Sequence, residues 1–227
     1  VLEAAAGQYD EILCCGDLIG YGADPNRVVE WARRDVKVTV RGNHDKASVG
    51  LEDLEWFNPI AKAAALWTQR ELTPENADFV RQLPRGPVKV ENFHVLHGSP
   101  LDEDEYLVAA SDALQALNYA GSRLSFFGHT HLQGGFAFRD STLEIIGKPD
   151  PIGVLEVSLR PETTYLVNPG SVGQPRDGDP RSAFVLYDSA SGRLCYRRLL
   201  YDVDAAQLKI RNAGLPTVLA DRLLIGR

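Results

Sequence analysis

The feature that most constrains how this 227-residue chain can fold is a change of rhythm after about residue 127. Before it, short apolar runs alternate with stretches of helical character; after it, strand-like runs follow one another directly. In the first part, Glu11 to Cys15 reads as a buried strand. Asp24-Pro25 then supplies an N-cap and a first-turn proline for a helix reaching about Arg34. Val36 to Val40 is strand-like by its β-branched content. Helices are expected from about Asn58 to Leu72, after Thr73-Pro74, and from Ser111 to Tyr119, with strands at Val88–Val90, Phe93–Leu96 and Leu124–Phe127. The runs Gly134–Arg139, Thr142–Ile146, Val154–Leu159, Thr164–Asn168, Ala183–Asp188 and Arg193–Leu200 then read as consecutive strands, followed by two closing helices. This pattern predicts an α/β fold, a four-layer α-β-β-α sandwich of two mixed β-sheets flanked by helices. No repeat or linker marks a boundary, so residues 1–227 are expected to form one domain.

Composition narrows the class. Apolar residues make up 44% and charged residues 24%, an ordinary balance for a globular chain. No apolar run approaches the roughly 18 residues that span a bilayer. A net charge of −7 argues against a broad basic surface that grips nucleic acid non-specifically. It leaves room for a small phosphate-ester substrate, because bound cations supply positive charge locally. Three cysteines, with Cys14 and Cys15 adjacent in an apolar run, make a poor disulfide framework and point to a reducing cytoplasm.

Four polar clusters sit where strands end: Gly16-Asp17, Gly42-Asn43-His44-Asp45, His97-Gly98 and Gly128-His129-Thr130-His131. Ligand sites in α/β proteins gather at the carboxyl ends of strands, where loops converge on one edge of a rigid sheet. Four of the five histidines lie in these clusters. On an extended segment, His129 and His131 would project to one side, roughly 6.5–7 Å apart. That offset suits two imidazoles serving two cations about 3.5–4 Å apart. Asp17 can bridge two cations, Asn43 offers a carbonyl oxygen and His97 a further nitrogen. Such mixed nitrogen and oxygen donors without thiolate favour Mn, Fe, Zn or Co. The fifth histidine, His94, lies at an odd offset from His97 in an extended run and reads as structural or surface.

In this order the motifs resemble those of the calcineurin-like metallophosphoesterase superfamily, whose pattern runs D-x-H, G-D, G-N-H-[DE], H and G-H-T-H. Asp17-Leu18-Ile19-Gly20-Tyr21-Gly22 and Asn168-Pro169-Gly170-Ser171-Val172-Gly173 further resemble its small prokaryotic phosphodiesterase branch. The resemblance implies metal-dependent hydrolysis of phosphate esters, phosphodiesters or nucleotide-type substrates before monoesters, at a centre of two divalent transition metals (Mn, Fe, Zn, Co or Ni). Asp17 would bridge both metals; Asn43, His97 and His129 would hold one, and His131 the other. A metal-bridging hydroxide would attack phosphorus while His44, positioned by Asp45, protonates the leaving oxygen. Arg176, just after the Asn168–Gly173 loop, is a candidate phosphate contact.

The D-x-H motif, which in the family completes the second metal, is missing. With no methionine in the chain and an opening inside a helix-like stretch, the expectation is that residues bearing that first strand are absent from the sequence. The alternative is a catalytically weak scaffold that binds metal on the same fold. The acidic run Leu101 to Glu105 reads as a solvated helix start. The exposed edges of the strand-rich second half leave a homodimer open.

Overall fold

In a computed structural model that describes residues 1–150 and 153–227, the alternation becomes eleven strands and eight α-helices among the described residues. The first half holds α1 (Leu2–Ala5), β1 (Leu13–Cys14), α2 (Pro25–Asp35), β2 (Val38–Thr39), α3 (Asn43–Ser48), α4 (Pro59–Glu71), α5 (Pro74–Arg81), β3 (Val88–Val90), β4 (Phe93–Val95), α6 (Ala110–Leu117) and β5 (Leu124–Phe126). The second half holds β6 (Gly134–Arg139), β7 (Thr142–Ile146), β8 (Val154–Ser158), β9 (Thr164–Asn168), β10 (Ser182–Asp188), β11 (Arg193–Leu199), α7 (Val203–Asn212) and α8 (Thr217–Asp221).

Local chemistry explains most helix starts. Asn58 caps α4 by accepting from the N–H groups of Ile60 and Ala61, and Thr73 caps α5 at Asn76. Asp202 caps α7 at Ala205. Asp24 holds the N-cap position of α2 but makes no capping bond; its carboxylate pairs with Lys209 of α7 at 2.5 Å. There the tertiary partner wins over the local one.

Six strands form one mixed sheet in the order β3-β4-β5-β9-β6-β7, in which β4, β5 and β9 run parallel. Facing it is a second layer in two pieces, the parallel pair β1-β2 and the antiparallel triplet β10-β11-β8. One core ties the layers together: Val95, Phe126 and Val167 of the large sheet pack with Tyr196 and Leu194 of β11, and with Leu13 and Val38 of the parallel pair. Helix α6 buries Ala113 and Ala116 against Leu96, Phe127, Phe136 and Leu166 on the outer face of the large sheet. On the other side, α2 and α5 share a core through Val29 and Val80, and α4 packs with α7 and α8 around Ala64, Ile210 and Leu219. The expected layered sandwich is present, with its second sheet divided. Neither β1 nor β10 bonds a strand on its second edge among the described residues, so no ladder joins the two pieces.

The acidic run at Leu101–Glu105 is not a helix start; α6 begins only at Ala110. Glu103 is 8% exposed and accepts from Arg41 at 2.8 and 2.9 Å, and Lys46 reaches Glu103, Glu52 and Asp104. A half-buried arginine and a buried lysine recruit these carboxylates, and that demand outweighs the helix-dipole preference. No helix among the described residues is long and apolar enough to cross a membrane.

Candidate metal centre

The parallel strands aim their carboxyl ends at one place. Asp17 follows β1, Asn43 follows β2, His97 follows β4, His129 and His131 follow β5, and Asn168 ends β9. This convergence comes from strand direction, which lets residues more than 100 positions apart meet where the carboxyl ends of two facing sheets come together.

The turns that deliver the side chains are unusual. Asp17, His129 and His131 all have left-handed backbone, with φ of 54°, 60° and 59°. Non-glycine residues seldom adopt this region, and its cost is tolerated mainly where function demands the geometry. The histidine pair is therefore not on an extended segment, and the i, i+2 projection expected from a strand does not apply. The side chains converge because a strained turn swings each ring inward. Asn168 clamps that turn, donating from its amide to the Gly128 carbonyl at 3.0 Å and the Thr130 hydroxyl at 2.9 Å. Glycine is required at position 42, where a Cβ would lie 2.2 Å from Asp17 Oδ1 and 2.8 Å from His97 Cε1.

The imidazoles are oriented by backbone carbonyls. His97 Nδ1 bonds the Cys15 carbonyl at 2.7 Å, which leaves Nε2 facing Asn43 Oδ1 at 3.3 Å and Asp17 Oδ1 at 3.6 Å. His131 Nδ1 bonds the Gln174 carbonyl at 2.7 Å and turns Nε2 toward the other oxygen, Asp17 Oδ2, at 3.7 Å. A carbonyl on Nδ1 fixes the tautomer with its lone pair on Nε2, the form a cation needs. The ring of His129 packs edge-on to His97 at 4.7 Å and lies beneath Tyr106 at 3.8 Å.

Asp17, His97 and His129 offer ligand atoms that all lie within 4.8 Å of one another, and no other such group of three His, Cys, Asp or Glu occurs among the described residues. Asp17 Oδ2 and His129 Nε2 are buried without a hydrogen-bond partner. Buried polar atoms are normally satisfied, so these two fit a site for a divalent cation. Burial opposes ionisation of Asp17, but the imidazoles of His97, His44 and His131 outweigh it and hold the carboxyl far below its usual range. Burial, then repulsion from His97, holds His129 down at about 3, so it is neutral and able to donate its lone pair. On the far oxygen of Asp17 the matching donor is His131 alone among the described residues, a thinner set for a second cation.

His44 lies in the first turn of α3, and its backbone N–H donates to Asp17 Oδ1 at 2.9 Å. Its Nε2 meets the Tyr21 hydroxyl, its ring lies 3.9 Å from the Tyr21 ring, and Phe57 approaches edge-on. Burial lowers its pKa to about 4. Asp45 does not touch this ring. Its oxygens accept from the N–H groups of Ile19 at 3.1 Å and Gly42 at 2.9 Å, so it braces the backbone that carries His44. Arg176 donates to the Tyr21 hydroxyl at 2.7 Å and Gln174 Oε1 at 3.1 Å. His94 stays apart, with Nδ1 bonded to the Ala120 carbonyl at 3.0 Å.

Beside the cluster lies a cavity of about 690 Å³, lined among others by Tyr21, Asn43, His44, Trp56, Tyr106 and Arg222. Sequence reasoning assigned no role to Tyr21 or Asn168, although both lie in motif segments it singled out. Phe57, Tyr106 and Arg222 carried no signal at all.

A sequence profile described as the calcineurin-like phosphoesterase superfamily domain matches residues 1–191. An uncharacterized protein of Methanocaldococcus jannaschii is 34% identical over 221 residues, spanning 96% of this chain and 87% of that one. The crystal structure of a metallophosphoesterase from Sphaerobacter thermophilus superposes with a TM-score of 0.83 at 34% identity, covering all of this chain and 92% of that one. A hypothetical protein from Pyrococcus horikoshii shares the fold, with a TM-score of 0.76 at 17% identity over all of this chain and 89% of its own.

Proposed function

This chain belongs to the calcineurin-like phosphoesterase superfamily, and from that premise we propose that it hydrolyses phosphodiesters or nucleotide-type phosphate esters. Asp17, Asn43, His97 and His129 would hold one divalent transition metal, and Asp17 with His131 would hold a second, weaker one. The observation that carries this reading is the pair of buried, unpartnered atoms, Asp17 Oδ2 and His129 Nε2, beside imidazoles already oriented for ligation. Cations bound there would supply Lewis acidity toward phosphoryl oxygens and acidify a water.

The protein's own groups do the rest. His44 sits on the cavity side of Asp17, where its Nε2 can give a proton to the leaving oxygen. The Tyr21 hydroxyl takes the place on Nε2 that a leaving oxygen would occupy. Asp45 is a positioning residue acting through Ile19 and Gly42. Arg176 lines the cavity as a phosphate contact.

A second reading, a metal-binding scaffold of little activity, draws on the thin donor set around His131. Hydrolysis of bis(p-nitrophenyl) phosphate and p-nitrophenyl phosphate by metal-stripped protein, with and without Mn²⁺, separates the two. Metal-dependent turnover that falls about 100-fold or more in His44→Ala supports the enzyme. A folded protein inert with every metal tried would refute it.

A further inference from the structure

Two guanidinium groups share the wall of the cavity beyond His44. Arg176 lies after the Gly173 turn, and Arg222 follows α8, 46 residues later in the chain. The Arg176 guanidinium stacks 5.5 Å from the Tyr21 ring centre. Its Nε is buried without a partner. Arg222 spends its Nε on the backbone oxygen of Arg227. Neither guanidinium forms an ion pair with an Asp or Glu among the described residues, whereas Lys46 holds three carboxylates. Burial, then the charge of Arg176, holds Arg222 below its ordinary value, as two like charges near each other require.

Bringing two uncompensated cations together in a part-buried wall is unfavourable unless an anion joins them. Arginine forks match phosphate oxygens in two-point contacts. The position defines which anion. His44 Nε2 meets the Tyr21 hydroxyl, in the place a leaving oxygen would take, and Arg176 donates to that same hydroxyl at 2.7 Å. A leaving oxygen that replaces the Tyr21 hydroxyl on His44 therefore has Arg176 beside it and Arg222 on the same cavity wall, so the arginines lie on the leaving-group side.

We propose that Arg176 and Arg222 form an anion subsite for a leaving group that carries its own phosphate. This deepens the proposed hydrolase reading and rests on it. Trp56, 89% exposed at the rim, together with Phe57 and Tyr106, offers flat faces for the base of a nucleotide. In the reaction, water adds its oxygen to the attacked phosphorus, and the bond from phosphorus to the leaving oxygen breaks with its electron pair on that oxygen. One water proton is released, and the leaving oxygen takes a proton from His44 or departs as an anion held by the arginines. Two small-molecule sources share this chemistry: the phosphoanhydride of a nucleoside triphosphate, and a dinucleotide bearing a terminal phosphate on its leaving half.

The test compares kcat/KM of the Mn²⁺-loaded protein for both substrates with that for bis(p-nitrophenyl) phosphate, whose leaving group is uncharged by phosphate. Arg222→Gln should lower the ratio of phosphate-bearing to aryl substrate by about tenfold or more. The substrate whose ratio falls identifies the source. Aryl turnover with an unchanged ratio for both overturns the subsite while leaving the hydrolase intact. If no substrate turns over, inorganic pyrophosphate binding to the metal-free protein decides. A Kd weakened about tenfold by Arg222→Gln supports the anion subsite, and an unaltered Kd overturns it. Circular dichroism of the variant confirms that it is folded, and Arg222→Lys should restore part of the ratio.

Discussion

Asp45 stands next to His44 in sequence, yet it bonds the backbone N–H of Gly42 at 2.9 Å rather than the imidazole. Its second oxygen takes the N–H of Ile19 at 3.1 Å, and it has no exposed surface. Removing it in Asp45→Ala strands two buried donors, a cost of about 2–5 kcal/mol. Urea unfolding of the metal-free protein should show that loss, with Asp45→Asn less affected because one acceptor survives. A stability equal to wild type in the alanine variant would contradict the bracing role.

Gly42→Ala should be as damaging for a different reason. Its Cβ would collide with Asp17 Oδ1, at 2.2 Å, and with the Asp17 backbone nitrogen, at 2.4 Å. Backbone cannot yield as a flexible side chain does, so Asp17 must shift. The expected outcome is loss of Mn²⁺ binding by titration calorimetry, even where circular dichroism reports a folded chain.

Asn168 acts on the metal centre without touching it, by clamping the left-handed turn between Gly128 and Thr130. Asn168→Ala should weaken Mn²⁺ affinity by about 10–100-fold, the usual penalty for losing a support behind a ligand. An unchanged Kd would show that the turn holds its shape alone.

The two oxygens of Asp17 face unequal partners, His97 on one and His131 on the other, with His129 in the first group. Metal titration should therefore give one tight and one weak cation. His129→Ala should abolish the tight event, and His131→Ala should remove only the weak one. Equal loss of both from either variant would point to a single shared site.

Acid should expose a remote ion pair. Arg181 bonds Asp179 through its side chain at 2.6–3.1 Å and holds the carboxyl at about 2, below its ordinary value of 3.8, against a smaller opposing effect of burial. Because the folded value is depressed, the stabilisation is complete above the unfolded pKa near 4 and disappears as pH falls through about 2. After solvent screening it amounts to about 1 kcal/mol. Asp179→Asn should narrow the stability difference between pH 5 and pH 2, measured by thermal melts; an identical acid limb would rule the pair out as a contributor.

Residue type and local period determined a good deal. The alternation up to Phe127 and the strand run after it fixed the class of fold, and Asn58, Thr73 and Asp202 announced helix starts by chemistry confined to a few neighbours. The four polar clusters named the residues that now meet at the carboxyl ends of two facing sheets. What the local pattern misjudged depended on distant partners. Asp24 was drawn from its cap by Lys209, and Glu103 from a helix start by Arg41 and Lys46. Glycine spacing could suggest a turn at His129 but not its left-handed backbone, which the clamp from Asn168 holds in place. Tautomers were set by the carbonyls of Cys15 and Gln174, which every residue possesses and no sequence distinguishes. The approach of Arg222 to Arg176 likewise arose only when α8 packed beside the cavity. Sequence determines which groups are available and how the chain bends over a few residues; only the packed fold decides which distant backbone atom or charge meets them, because those energies depend on distance in space rather than along the chain.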